Sequence, residues 1–81
     1  MTREALRKKL VEIIDKQLGE TVLLDDNMFL DYDVGLDSLD SIELAIACEN
    51  EFPSMKVDPD DEPLFRGRVG DLLDYLERCA Q

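Results

Sequence analysis

The chain contains no histidine, so it lacks the side chain that most often activates a serine or cysteine nucleophile near neutral pH. Its two cysteines, Cys48 and Cys79, show no CxxC spacing and have no imidazole to complete a zinc site, which leaves no expected metal centre. No segment is apolar for long enough to span a bilayer, and the N-terminus is charged from Arg3 onward with no apolar leader. These absences predict a cytoplasmic protein with both thiols reduced. At 81 residues the chain is expected to fold as one domain over 1–81, too small for a deep catalytic cleft with its own lid.

Positive charge is also scarce. The net charge is −11, which argues against nucleic acid as a ligand, because phosphate binding needs clustered Lys and Arg. It favours a soluble monomer and partners with basic surfaces. Five of the nine basic residues (Arg3, Arg7, Lys8, Lys9, Lys16) fall in the first segment, whereas the stretch from Gln17 to Met55 holds ten carboxylates and no Lys or Arg. Such a stretch is either a merely solvated surface or an acidic docking surface.

The periodicity predicts an all-α fold, a small four-helix bundle of three main helices and one short helix. A first amphipathic helix runs from about Thr2 to Leu18, with Thr2 as cap, Leu6, Leu10, Ile13 and Ile14 on one face, and Gly19 as the stop. Residues 20–36 have no clean period, and their scattered apolar side chains are expected to pin a long loop over the helix ends. A second helix runs from about Ser38 to Phe52, capped by Asp37 and ended by Pro53. A short helical turn follows, with Asp58 as cap and Pro59 at its first position. The last helix spans about Arg68 to Ala80, with Val69, Leu72, Leu73, Leu76 and Cys79 on its stripe. Gly70 inside it costs about 1 kcal/mol against alanine.

The second helix has two apolar faces. Leu44, Ala45, Cys48 and Phe52, with Ser41 beside them, form a core stripe; Leu39, Ile42 and Ile46 fall on the opposite side, flanked by Asp40, Glu43 and Glu49. Either loop residues cover the second stripe or a partner does. Ser38 stands at the first helical position, where unpaired N–H groups and the helix dipole favour an anion such as a phosphodiester. Gly35 lets the chain turn sharply just before it. With no base to activate it, this serine reads as a group that another enzyme modifies.

The run Gly35-Leu36-Asp37-Ser38-Leu39-Asp40-Ser41-Ile42-Glu43-Leu44, together with Glu49-Asn50-Glu51-Phe52, closely resembles the Asp-Ser-Leu region of acyl carrier proteins, in particular the discrete type II carriers. The resemblance extends over nearly the whole chain in length, helix order and acidity. It implies a non-catalytic carrier whose Ser38 receives a covalent 4′-phosphopantetheine arm from coenzyme A through a holo-acyl-carrier-protein synthase. It implies an acyl chain cargo held as a thioester, in fatty acid, polyketide or specialised acyl metabolism. Asp37, Leu39, Asp40, Ile42, Glu43, Ile46 and Glu49 match the positions that meet acyl-transferring or acyl-modifying enzymes with basic docking surfaces.

The chain departs from the family pattern in places. A phenylalanine usually precedes the motif glycine by five residues, whereas Phe29 is six away, so Leu30 takes that place or the loop carries one extra residue. Leu36 stands where a small residue is frequent, and Arg66-Gly67-Arg68 where the third helix is usually more acidic.

Other functions fit less well. An esterase with a Gly-Asp-Ser-Leu motif would need Gly35 next to Asp37 and a histidine base. A calcium-binding loop begun at Asp31 would place its glycine one position early and Ile42 where the last ligand belongs. A D-alanyl or aminoacyl carrier would share the arm but not the cargo, and a non-carrier acidic adaptor would have no arm.

Overall fold

The computed structural model describes residues 2–52 and 57–80, and they form three α-helices and one 3₁₀ helix: α1 (Arg3–Leu18), α2 (Ser38–Glu51), the 3₁₀ helix (Pro59–Arg66) and α3 (Val69–Cys79). Local signals set most of the boundaries. Thr2 Oγ1 accepts from the Ala5 amide at 3.1 Å, and Gly19, at φ +73°, donates its N–H to the Asp15 carbonyl at 2.8 Å. Pro53, expected to end α2, lies outside the described residues; Phe52 is the C-cap, its amide bonded to the Cys48 carbonyl. Asp58 caps the short helix through Asp60 N at 2.9 Å. That helix is 3₁₀ and eight residues long, with Pro63 inside it. A proline there lacks an N–H and would clash with the carbonyl four residues back in an α-helix, which favours the tighter winding.

The core lies between α1, α2, α3 and the 3₁₀ helix. Leu6, Leu10 and Ile14 from α1 pack with Leu44, Ala45 and Cys48 from α2, Phe65 from the 3₁₀ helix, and Leu72, Leu73 and Leu76 from α3, all fully buried. Tyr75 joins them, edge-on to Phe65 at 6.0 Å between ring centroids, and its hydroxyl accepts from the Asp58 amide at 2.9 Å. The stripe read from the sequence omits Tyr75, although it stands three residues after Leu72 and four before Cys79 and so belongs to the same face. Arg68 is the N-cap of α3 instead of its first residue.

The long loop is pinned as expected, by side chains and backbone together. Leu24, Leu30 and Leu36 enter the core. The Leu30 amide donates to Gly67 O, Val69 N to Met28 O (both 2.8 Å), and Gly70 N to Asp26 O (3.0 Å). At Gly70 a Cβ would stand 3.1 Å from the Asp26 carbonyl oxygen, so the glycine that weakens α3 admits the loop. Leu30, rather than Phe29, fills the core position; Phe29 stays at the surface beneath the Arg68 guanidinium, 4.8 Å above its ring.

Two of the N-terminal cations are consumed internally. Arg3 bridges Asp74 (2.7 Å), Asp26 (3.1 Å) and Glu77, and Arg7 bonds Asp26. The Arg7 hydrogen bond, then that of Arg3, holds the Asp26 carboxyl below the usual range. Among the described residues no helix is long and apolar enough to cross a membrane.

Candidate functional site

The site is built where the pinned loop becomes α2. The loop closes on itself through Leu36 N to Leu30 O (3.0 Å), while the Asp33 carboxylate accepts from the Phe29 amide at 2.7 Å. Gly35, at φ +93°, takes a turn that any other residue would strain. Leu36 is then drawn into the core, 2% exposed, and fixes the point at which the helix begins.

Asp37 and Asp40 form a reciprocal capping box. Asp37 Oδ1 accepts from Asp40 N at 2.8 Å, and Asp40 Oδ2 accepts from Asp37 N at 3.1 Å. The box satisfies the third helical amide, and the amides of Ser38 and Leu39, first and second in the helix, keep no acceptor among the described residues. Ser38 is exposed at this end. Ser41, the other hydroxyl of the run, is fully buried and donates to the Asp37 carbonyl at 3.0 Å.

The two faces of α2 separate as expected. Ser41, Leu44, Ala45 and Cys48 are buried, whereas Leu39, Ile42 and Ile46 are 62%, 45% and 46% exposed. Among the described residues, no loop residue buries the second stripe. Glu43 and Glu49 are exposed beside it, and Asp37 is exposed at its Ser38 end. Asp40 is half-buried, its carbonyl bonded to Gln17 Nε2 of α1 at 2.6 Å. Nothing in the one-dimensional pattern marks Gln17, which shares the flank of α1 with the charged residues. Carboxylates of the calcium-type run accept from nearby backbone amides instead: Asp31 from Tyr32 N, Asp33 from Phe29 N and Asp37 from Asp40 N.

Neither cysteine takes part. Cys48 is in the core, and burial, then the charge of Glu51, push its thiol up to about 12. Cys79 is half-buried on α3. In the native protein at mildly alkaline pH, iodoacetamide should therefore leave Cys48 unmodified over a period that fully alkylates it in urea, as read by peptide mass mapping. Prompt native alkylation of Cys48 would show that α2 opens locally.

Residues 8–76 match the family profile described as a phosphopantetheine attachment site. An acyl carrier protein of Cyanidium caldarium is 40% identical, over 99% of this chain and 96% of its own length. One of Chlorobium luteolum is 36% identical, over 94% of this chain and 96% of its own. With these matches and the helical fold above, the chain belongs to the acyl carrier proteins, non-catalytic carriers whose covalent prosthetic group is 4′-phosphopantetheine.

Proposed function

We propose that Ser38 is the attachment point of the arm, and that residues 1–81 act as one carrier domain presenting acyl thioesters to enzymes of fatty acid, polyketide or specialised acyl metabolism. The observation that carries this reading is the exposed Ser38 at the first position of α2, next to two amides without an acceptor among the described residues and an exposed apolar patch. The residues fit the group. The Ser38 and Leu39 amides suit a phosphodiester, Gly35 keeps the approach open, and the capping box holds the helix end still. The arm supplies the thiol to which an acyl group is bound. Incubation with coenzyme A and a broad-specificity holo-synthase, followed by intact mass and peptide mapping, should find one adduct, on Ser38. Unmodified protein, or an adduct elsewhere, overturns the assignment.

In this proposal Leu39, Ile42 and Ile46 form the apolar centre of the partner surface, with Asp37, Asp40, Glu43 and Glu49 as its acidic rim. Exposed charge pairs are worth about 0.2–1 kcal/mol each. They fade as the Debye length falls from about 10 Å at 0.1 M salt to about 3 Å at 1 M. Glu43→Lys should accordingly slow modification by a holo-synthase at low salt, mainly through a raised KM, and matter little near 1 M. Equal KM values for the variant and the natural protein at low salt would mean that the acidity serves solubility alone.

A further inference from the structure

The first turn of α3 is capped from outside the helix. Its N-cap, Arg68, makes no side-chain bond to the turn. The Val69 amide donates instead to Met28 O at 2.8 Å, and the Gly70 amide to Asp26 O at 3.0 Å. Both acceptors belong to residues 25–29, a segment between the buried anchors Leu24 and Leu30 that buries no side chain completely. Local bonds give the segment its own shape, Met28 N to Asp25 O and Asn27 N to Asp25 Oδ1, both 3.0 Å. It is held against α3 chiefly through Asp26. The Asp26 carboxylate accepts from Arg3 Nη2 at 3.1 Å and from Arg7 Nη1, which ties the segment to α1. Arg3 Nη2 also donates to the Gly70 carbonyl at 3.1 Å, and its Nη1 to Asp74 at 2.7 Å. One guanidinium thus joins the segment, α1 and the first turns of α3. The Arg68 guanidinium over Phe29 is a second tie. The side chains of Arg3, Arg7 and Asp26 are 29%, 21% and 40% exposed, so water competes for the bonds of the cluster.

We propose that residues 25–29 are a strap latched by the Asp26 carboxylate, and that release of the latch lifts the strap and uncaps α3 in one step. The strap is the easiest place for the fold to open. Its bonds to α3 are few and near the surface, whereas the residues on either side are anchored in the core. Lifting it leaves the Val69 and Gly70 amides without acceptors, which loosens the turn they begin. The Asp26 pairs are decisive because hydrogen bonds between ionised groups are about twice as strong as neutral ones. Gly70 belongs to the same device, since a Cβ there would stand 3.1 Å from Asp26 O and 3.3 Å from Asp26 Cβ. Among the described residues α2 makes no hydrogen bond or ion pair to the strap, so α2 and its Ser38 end stay folded through the opening.

Amide hydrogen exchange followed by NMR in the full chain tests this, with Cys48 of α2 as the reference. In Asp26→Asn the Val69 and Gly70 amides should exchange at least about fivefold faster, relative to Cys48, than in the natural protein. Asp74→Asn removes the same charge and one Arg3 contact but leaves the latch, and should change that ratio less than about twofold. Gly70→Ala separates the strap from helix propensity. Alanine favours the helix, which alone would slow Val69 exchange. A Cβ pressed against Asp26 should instead unseat the strap and speed it. A Val69-to-Cys48 ratio unchanged in Asp26→Asn, an equal rise in Asp74→Asn, or slower Val69 exchange in Gly70→Ala would each overturn the proposal. The measurement needs no prosthetic arm, so its outcome is independent of the Ser38 assignment.

Discussion

Ser38→Ala should fold like the natural protein and accept no phosphopantetheine at all. The first half follows from the helix start. Ser38 is exposed, and the cap is made by Asp37 and Asp40 through bonds of 2.8 and 3.1 Å that do not involve its hydroxyl. Alanine is the best helix former, and surface changes away from special features usually stay within about 0.5 kcal/mol. The melting temperature should therefore hold or rise slightly. The second half follows from the lack of a substitute. Ser41 is 0% exposed and its hydroxyl is bonded to the Asp37 carbonyl. To reach an enzyme it would have to leave the core face of α2, together with the buried Leu44 and Ala45 on either side of that stripe. Intact mass after prolonged incubation with coenzyme A and holo-synthase, alongside thermal melting by circular dichroism, checks both halves. An adduct on the alanine variant places the site elsewhere; a collapsed melt means that Ser38 has a structural role unseen in its contacts.

The helices were legible in the sequence because their signals are local. Thr2, Gly19 and Asp37 act through bonds to residues at most four positions away, and the faces of α2 follow from helical spacing alone. Burial in the loop was not legible in the same way. Leu24, Leu30 and Leu36 turn inward while Leu23 and Tyr32 are 86% and 89% exposed, and no period distinguishes them. The choice is made by partners far along the chain: Gly67 for Leu30, Gly70 for Asp26, and Arg3 and Arg7 for the Asp26 carboxylate. For the same reason the sequence alone does not choose between Phe29 and Leu30; in the fold Phe29 forms an antiparallel bridge with Arg68 and stays at the surface while Leu30 is buried. At the candidate site the motif marked Ser38 and its neighbours on α2, since these lie in one continuous run. It could not mark Gln17, whose contact with Asp40 spans 23 residues.

Phe52→Ala and Ile46→Ala should part sharply, although they shorten apolar side chains of the same helix region. Phe52 is 4% exposed in the cluster that joins α2 to the rest of the core. Truncating a buried phenylalanine costs about 3–5 kcal/mol, a sum of lost burial and the cavity left behind. Small domains have only about 5–15 kcal/mol in total. In a chain of this size each kcal/mol moves the melting temperature by roughly 4–8 °C, so a fall on the order of 20 °C is expected. Ile46 is 46% exposed, with nothing described covering it. Its truncation removes little contact from the folded state and should shift stability by about 0.5 kcal/mol or less. The same change takes apolar surface from the proposed partner face, where each methylene lost from a filled interface is worth about 0.8 kcal/mol. It should raise the KM of a holo-synthase for the carrier several-fold at an unchanged melting temperature, and Phe52→Ala should do the reverse below its own melting point. Two variants that melt alike would show that the second face of α2 is part of the core; an Ile46→Ala protein with unaltered KM would remove Ile46 from the docking surface.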